Sequence, residues 1–187
     1  MGWSWLVVVL VLVVGAGLYV ILAYNGLVAA RQRTGEAWSG IDVQLKRRSN
    51  LVPNLVEVVK GYAAHETEVL QQVTQTRARV EGKGDSVGER AAAEARLGGA
   101  LAGLVALAEN YPDLKASQNF RDLHASLDEI ERDIQHARRY YNGAVRVLNT
   151  KVQSFPSKLV AARFGFGLAE YFELDSPAER QVPGVSF

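Results

Sequence analysis

The sequence predicts an all-α protein. An N-terminal transmembrane helix continues into an antiparallel up-and-down helix bundle, which ends in a short C-terminal helix and an extended tail. Two observations lead to this fold class. The chain of 187 residues contains no Asp, Glu, Lys or Arg before Arg31. From Thr34 onward, apolar residues recur at alternating steps of three and four, the spacing of one helix face, and no stretch shows the period of two that marks a half-buried strand.

The uncharged stretch from Trp3 to Tyr24 is long enough to cross a bilayer. Its 22 residues would span roughly 33 Å as a helix, and the hydrocarbon core is about 30 Å thick. Trp3 and Trp5 at one end and Tyr24 at the other suit the two membrane interfaces. The alternative is a cleaved signal peptide, but the stretch lacks a positive n-region and exceeds the usual h-region. We therefore expect an uncleaved, single-pass signal anchor over residues 1–25.

Basic residues follow this span and none precedes it. They are Arg31, Arg33, Lys46, Arg47 and Arg48. The positive-inside rule then places the N-terminus outside the cell and the following domain in the cytoplasm. Arg31 and Arg33 lie near enough to the bilayer to meet anionic headgroups.

The first helix after the span is expected to run on from it to about Asn50. Its buried side is predicted to comprise Thr34, Trp38, Ile41 and Leu45. The charged and polar residues beside them are predicted to form a solvated face, namely Asp42, Gln44, Lys46, Arg47 and Arg48. Pro53 then either kinks the helix near Leu51 or opens a new helix in its first turn.

The next helices are separated by a glycine-rich loop. The second helix is predicted over about residues 53–80, and its apolar line is Leu55, Val59, Tyr62, Glu66, Val69, Val73, Thr76 and Val80. A charge such as Glu66 on this line is usually satisfied at the surface and less often marks a subunit contact. Residues 81–88 are predicted to form a flexible loop. The third helix is predicted over about residues 89–110.

The last long helix has the most regular pattern. Asn110 to Asp113 stop the preceding helix, and Ser117 can cap the new one. Its coiled-coil-like seam comprises Leu123, Leu127, Ile130, Ile134, Ala137, Tyr141, Ala144 and Leu148. Phe155 and Pro156 end the helix. An aromatic-rich segment follows as a short helix, and residues 173–187 are expected to be extended.

The sequence contains no recognisable catalytic, metal-binding or nucleotide-binding motif. The 21 Lys and Arg nearly balance the 20 Asp and Glu, which argues against nucleic-acid binding. The absence of Cys excludes disulfides, thiolate clusters and a Cys nucleophile. Asp133 and His136 form a single acid–histidine pair, whereas a di-metal bundle needs two Glu-x-x-His pairs. Phosphate and dinucleotide motifs are absent. We predict no enzyme, with no catalytic residue, metal, cofactor or small-molecule substrate.

Several segments together resemble a known family. They include Y-N-G-L-V from Tyr24, I-D-V-Q-L-K-R-R from Ile41, L-V-P-N-L-V from Leu51 and E-N-Y-P-D-L-K-A from Glu109. Further matches are Tyr141 with Asn142, Asn149, and Phe155 with Pro156. These residues resemble the LemA family, and the similarity covers nearly all of residues 24–172.

The resemblance implies a bacterial protein with one N-terminal membrane helix, an outside N-terminus and a helical bundle over residues 26–172. No catalytic residues are established for this family. Structural or interaction roles are therefore expected for the signature residues Trp38, Asp42, Gln44, Lys46, Arg47, Arg48, Pro53, Asn54, Asn110, Tyr111, Pro112, Tyr141, Asn142, Phe155 and Pro156. Five asparagines are expected to cap and cross-link helices rather than to bind a substrate, namely Asn25, Asn54, Asn110, Asn142 and Asn149.

These observations favour a non-enzymatic scaffold anchored in the bacterial inner membrane. The predicted scaffold self-associates as a homo-oligomer or docks a membrane-protein partner, since its heptad seam is longer than a small core needs. The alternatives are an oligomer that shapes or remodels the bilayer, and an adaptor of a membrane protease or transporter.

Overall fold

The computed structural model describes residues 2–81 and 86–173, and every regular element in these ranges is a helix. The elements are α1 (Gly2–Tyr62), α2 (Thr67–Glu81), α3 (Val87–Ala108), α4 (Pro112–Ala116), α5 (Gln118–Gln153) and α6 (Ser157–Phe164). The predicted all-α fold, with a long apolar first helix followed by a helical bundle, is confirmed. Residues 82–85 of the predicted loop at 81–88 and residues 174–187 of the predicted tail at 173–187 lie outside the described residues.

Helix α1 continues through Pro53, so the prediction of a new helix at this residue was wrong. Pro53 lies inside the 61-residue helix, although an internal proline removes one hydrogen bond and costs about 3 kcal/mol. Val52 and Leu55 are buried on either side of it, while Pro53 itself is exposed. Burial of the flanking residues therefore outweighs the local preference to break.

The helix is interrupted at residues 63–66 instead, within the segment predicted to be one helix. The Glu66 backbone N–H donates to the Ala63 carbonyl at 3.1 Å, which closes a turn before α2 begins at Thr67. Ala63 is buried and Tyr62 is largely exposed. The predicted seam was thus wrong at Tyr62, because the end of the helix places the next buried residue four positions after Val59.

The later helices follow the predicted pattern closely. Helix α3 begins two residues earlier than expected, because Ser86 and Glu89 form a reciprocal capping box. Helix α4 is the exception: it was not predicted, because Asn110 to Asp113 were expected to form only a turn, whereas Pro112 opens a short helix. Along α5, six of the eight predicted seam residues are buried, namely Leu127, Ile130, Ile134, Tyr141, Ala144 and Leu148, and the other two are half-buried.

The structure divides into two compact units. The anchor unit comprises residues 1–39 and 140–170, and the bundle unit comprises residues 40–139 and 171–187. A small cluster in the anchor unit buries Leu27, Val160 and Ala161. The larger core of the bundle unit buries Val52, Leu55, Val59, Ala63, Leu70, Val73, Val80, Leu97, Ala100, Leu101, Leu104, Ala108, Leu114, Phe120 and Leu127.

Candidate functional sites

Two described helices are long and apolar enough to cross a membrane, namely α1, from Trp3 onward, and α3. Helix α3 contributes Leu97, Leu101 and Leu104 to the bundle core, as the core helix of a soluble bundle does. The apolar window of α1 has no buried residue. The start of α1 is therefore the segment that needs an apolar environment outside the protein.

The residues predicted to lie at the membrane interfaces occupy both ends of this apolar segment. Trp3 and Trp5 are exposed near its start. At its end, the Tyr24 ring makes edge-on contacts with Phe164 and Phe166, with centroids 4.9 and 5.7 Å apart. Arg31 and Arg33 follow on α1 and are exposed.

A buried ion-pair network lies inside the bundle unit. Arg48 on α1 is 2% exposed and Glu94 on α3 is fully buried. Arg48 Nη2 donates to Glu94 Oε2 at 2.5 Å and to the Glu94 carbonyl at 3.0 Å. Arg48 Nη1 donates to Glu131 Oε1 on α5 at 2.7 Å. One guanidinium thereby links three helices, and we call Arg48, Glu94, Glu131 and the adjoining Arg90 the ionic cluster.

Arg90 completes the charge balance of the ionic cluster. Its Nε lies 3.0 Å from Glu94 Oε1, close enough for an ion pair but not aligned as a hydrogen bond, so both buried atoms lack a hydrogen-bond partner. Its Nη1 donates to the Val80 carbonyl at 2.9 Å. Two cations therefore face the carboxylates of Glu94, which is fully buried, and Glu131, and Arg90 Nη2 also lies 3.9 Å from Asp42 Oδ1. Such a group stabilises the fold only while each buried charge keeps its partner.

The prediction that Arg48 lies on a solvated face was wrong. Steps of three and four from Leu45 lead to Arg48 and then Val52, so Arg48 stands on the buried side of α1. Glu94 likewise lies three residues before Leu97 on the apolar seam of α3. The position of Arg48 on the seam was the available signal, but the residue type was read as solvated because charges are seldom fully buried unless paired.

The other charged signature residues remain at the surface, as predicted. Lys46 pairs with Asp42 one turn away at 2.6 Å. Arg47 donates to Gln44 at 2.9 Å and to Asp133 at 3.3 Å. Asp133 thus pairs with an arginine, and His136 Nδ1 lies 2.7 Å from Arg139 Nη2. Among residues 2–81 and 86–173, no group of three or more His, Cys, Asp and Glu is arranged to hold a metal ion.

Tyr111 gives Glu66 a partner within the chain. The Tyr111 hydroxyl donates to Glu66 Oε1 at 2.9 Å, tying the turn before α4 to the turn before α2. This hydrogen bond, with a contribution from burial and from the negative charge of Glu66, raises the pKa of Tyr111 above its ordinary value. The contact explains why a charge at position 66 is accommodated on a line of apolar residues.

Tyr141 and Asn149 on α5 hold the chain that follows α6. The Tyr141 hydroxyl donates to the Glu170 carbonyl at 2.9 Å, and its ring lies 5.5 Å from that of Trp38. Burial, followed by the charge of Glu170, raises the pKa of Tyr141. The Asn149 amide donates to the Ala169 carbonyl at 3.0 Å and accepts from the Ala169 N–H at 2.9 Å. This pair of bonds joins α5 to the non-helical segment after α6 rather than to another helix, so the predicted helix cross-linking by Asn149 stays a prediction.

The remaining signature residues do not converge on one site. Asn54, Asn110 and Phe155 are exposed, and Asn142 is half-buried on α5. Pro156 follows Phe155 through a cis peptide bond just before α6. The structure thus distributes the signature residues among the ionic cluster, two tyrosine contacts and the helix ends.

An open groove runs along the bundle unit between the last turns of α1 and helix α2. It encloses about 340 Å³ and is lined mainly by apolar atoms, with Val56 and Leu70 among its walls. A second depression of about 400 Å³ shares Val56, Lys60 and Thr74 with it and reaches Pro53. We call these two depressions the α1–α2 groove.

The fold and the apolar start of α1 define the class: this is a membrane-associated helical protein. The chain belongs to the LemA family, whose family model matches residues 37–187. It is 30% identical over 183 residues to magnetosome protein MamQ 2 of Paramagnetospirillum magneticum, covering 84% of this chain and 67% of that protein. It is 26% identical to magnetosome protein MamQ of Magnetospirillum gryphiswaldense, with the same coverage. Protein LemA of Metamycoplasma hominis is 25% identical over 139 residues, covering 74% of this chain and 64% of that protein.

Proposed function

We propose that this protein is a non-enzymatic scaffold, anchored in the bacterial inner membrane by the start of α1, that self-associates or docks a protein partner through the α1–α2 groove. The open groove is the observation that carries the proposal. Apolar surface of this kind, between two helices, accepts an amphipathic helix from a partner. The charged groups of the ionic cluster, in contrast, pair with one another within the unit, so its role is to hold α1 against α3 and α5.

The family supports the membrane part of this proposal. Two of the relatives are named as magnetosome proteins, and the start of α1 exposes a continuous apolar surface. A scaffold needs a fixed place and a surface for contact. The apolar span supplies the first and the α1–α2 groove supplies the second.

The absence of cysteine in this chain permits a direct test of the groove. We expect full-length Thr74→Cys, labelled with a benzophenone maleimide, reconstituted in vesicles and irradiated, to give a discrete adduct, because Thr74 lines both depressions of the groove and the excited benzophenone inserts into C–H bonds of any protein that contacts it. An adduct of twice the mass identifies a second copy. In membranes from the native cell, a different mass identifies another protein.

Ala125→Cys is the matched control, since Ala125 is exposed on α5 and does not line the groove. Equal cross-linking of the two variants would mean random collision. The groove proposal would be wrong if Thr74→Cys gave no adduct either in vesicles or in native membranes. A single monomer mass in mild detergent would exclude self-association at the concentration measured.

Orientation is a separate prediction, because only the flanking charges indicate it. We expect Gly2→Cys to react with a membrane-impermeant maleimide in intact spheroplasts, whereas Ala125→Cys reacts only after permeabilisation. The readout is the labelled band on a denaturing gel. The reverse pattern would place the bundle unit outside the cytoplasm and overturn the assignment.

A further inference from the structure

The position of α6 relative to the apolar span follows from contacts within the anchor unit. Phe164 and Phe166 both contact the ring of Tyr24, the last residue of the apolar span. Val160 and Ala161 on α6 pack against Leu27, one turn beyond it. If Trp3 to Tyr24 cross the bilayer, these contacts place α6 at the level where hydrocarbon gives way to headgroups.

The same segment also carries large apolar side chains that are exposed. Its large side chains and their exposed fractions are Phe155 at 74%, Leu159 at 59%, Leu168 at 58% and Phe164 at 51%. The segment therefore packs Val160 and Ala161 against α1, whereas Phe155, Leu159 and Leu168 are exposed and Phe164 is half-exposed beside Tyr24. A cluster of large apolar side chains on a surface marks a binding site for a protein or a membrane.

The charge of the anchor unit favours a membrane. Six basic residues and two acidic residues fall within it, a formal charge of +4 in a chain whose total is +1. The basic residues are Arg31, Arg33, Arg146, Lys151, Lys158 and Arg163. Lys158 and Arg163 lie on α6 itself, and Lys151 Nζ lies 2.9 Å from where a Cβ on Gly26 would stand. Cations at this level are attracted to the anionic lipids of the cytoplasmic leaflet.

We propose that α6 and its flanking residues form a second membrane contact, in which Phe155, Leu159, Phe164 and Leu168 insert among the headgroups of an anionic leaflet. Lys158 and Arg163 pair there with lipid phosphates. The inference rests on the membrane anchor of the proposed function, since only the span brings α6 to this level. The anionic bilayer surface is the occupant, because the exposed face is continuous with the span and its basic residues match that surface.

Spin labels attached to single cysteines test this contact in the full chain. The protein is reconstituted in vesicles of phosphatidylcholine and phosphatidylglycerol, with labels at Leu159→Cys, Leu12→Cys and Ala125→Cys in separate samples. The accessibility of each label to oxygen and to a water-soluble nickel complex reports its depth. We expect a deep position for the Leu12 label, an interfacial position for the Leu159 label and a fully aqueous position for the Ala125 label.

The three labels separate the failure of this inference from the failure of the anchor. A deep label at Leu12 with an aqueous label at Leu159 would overturn the α6 contact alone. Aqueous labels at both would overturn the anchor as well. A label at Leu159 shielded from both oxygen and nickel would indicate a protein contact and would also contradict the proposal.

The charge contribution is tested with Lys158→Gln and Arg163→Gln in the Leu159→Cys background. About 1 kcal/mol per basic residue corresponds to about a fivefold loss of the inserted population for each charge removed. We also expect the inserted population to fall when Lys158 and Arg163 are retained but phosphatidylglycerol is omitted from the vesicles. Insertion that is unaffected by both changes would refute the role of anionic lipid.

Discussion

Replacing Glu94 with Gln is expected to lower the free energy of unfolding by about 3–5 kcal/mol, the cost of breaking a buried ion pair by removing one partner. Glu94 is fully buried, and Arg48 retains only the backbone carbonyl of residue 94 and one carboxylate, that of Glu131, whose side chain is 37% exposed. Arg48 and Arg90 would then lose the negative charge of the carboxylate that both of them contact. The measurement is denaturant unfolding of the detergent-solubilised full chain, followed by helical circular dichroism.

The double variant Arg48→Met with Glu94→Leu shows whether the loss comes from an unpaired charge. Replacing both partners with apolar side chains of similar size is often neutral or stabilising. We therefore expect the double variant to be more stable than Glu94→Gln. Arg90 and Glu131 remain partly exposed, which limits the cost of leaving them without Glu94 and Arg48.

Lys46→Gln provides the matched surface control. Lys46 pairs with Asp42 at 2.6 Å, but its side chain is 69% exposed, and exposed helix pairs of this spacing contribute about 0.3–0.5 kcal/mol. A loss as small for Glu94→Gln as for Lys46→Gln would show that the Arg48–Glu94 pair is open to water. That result would remove the ionic cluster from the bundle core.

The sequence was most informative where one face of a helix is uniformly apolar. On α5, six of the seven predicted seam residues from Leu127 to Leu148 are buried, because a helix buries one stripe and solvates the rest. The uncharged start of α1 was also correctly predicted to be a long apolar helix. In both segments local pattern and tertiary environment require the same residues.

The sequence was misleading where local preference and tertiary packing conflict. Pro53 was expected to begin a helix, but the buried neighbours Val52 and Leu55 keep α1 continuous. Arg48 was expected in solvent because it belongs to a run of charged and polar residues, and its partner Glu94 lies 46 residues away along the chain. Periodicity places Arg48 on the apolar seam of α1 and Glu94 on that of α3, but only the structure shows that the two seams meet. The α1–α2 groove depends on the turn at residues 63–66. The sequence predicted one continuous helix over residues 53–80, and such a helix has no groove between its two halves.

Two arginines in the apolar span, Val11→Arg and Val14→Arg, are expected to abolish stable membrane integration. Both side chains are exposed in the structure, so in a bilayer they would face lipid near the middle of the span. Each central arginine costs about 2.5–3.5 kcal/mol on the insertion scale, whereas each apolar residue of the span contributes only about 0.3–0.6 kcal/mol. Together the two changes oppose insertion by about 5–7 kcal/mol. The measurement is the fraction of full-length protein that resists alkaline carbonate extraction after cell-free synthesis with vesicles.

Gln32→Arg with Gly35→Arg adds the same charge at the same spacing beyond the span and is the matched control. Both positions are exposed, and no atom lies within 4 Å of a Cβ built on Gly35, so this pair should remain membrane-integrated. Helical circular dichroism of the extracted span variant should still show a folded bundle, because the bundle unit contains neither Val11 nor Val14. Carbonate resistance retained by Val11→Arg with Val14→Arg would mean that α6 or a bound partner, rather than the span, holds the protein at the membrane. The Leu12 and Leu159 labels would then distinguish those two sources of attachment.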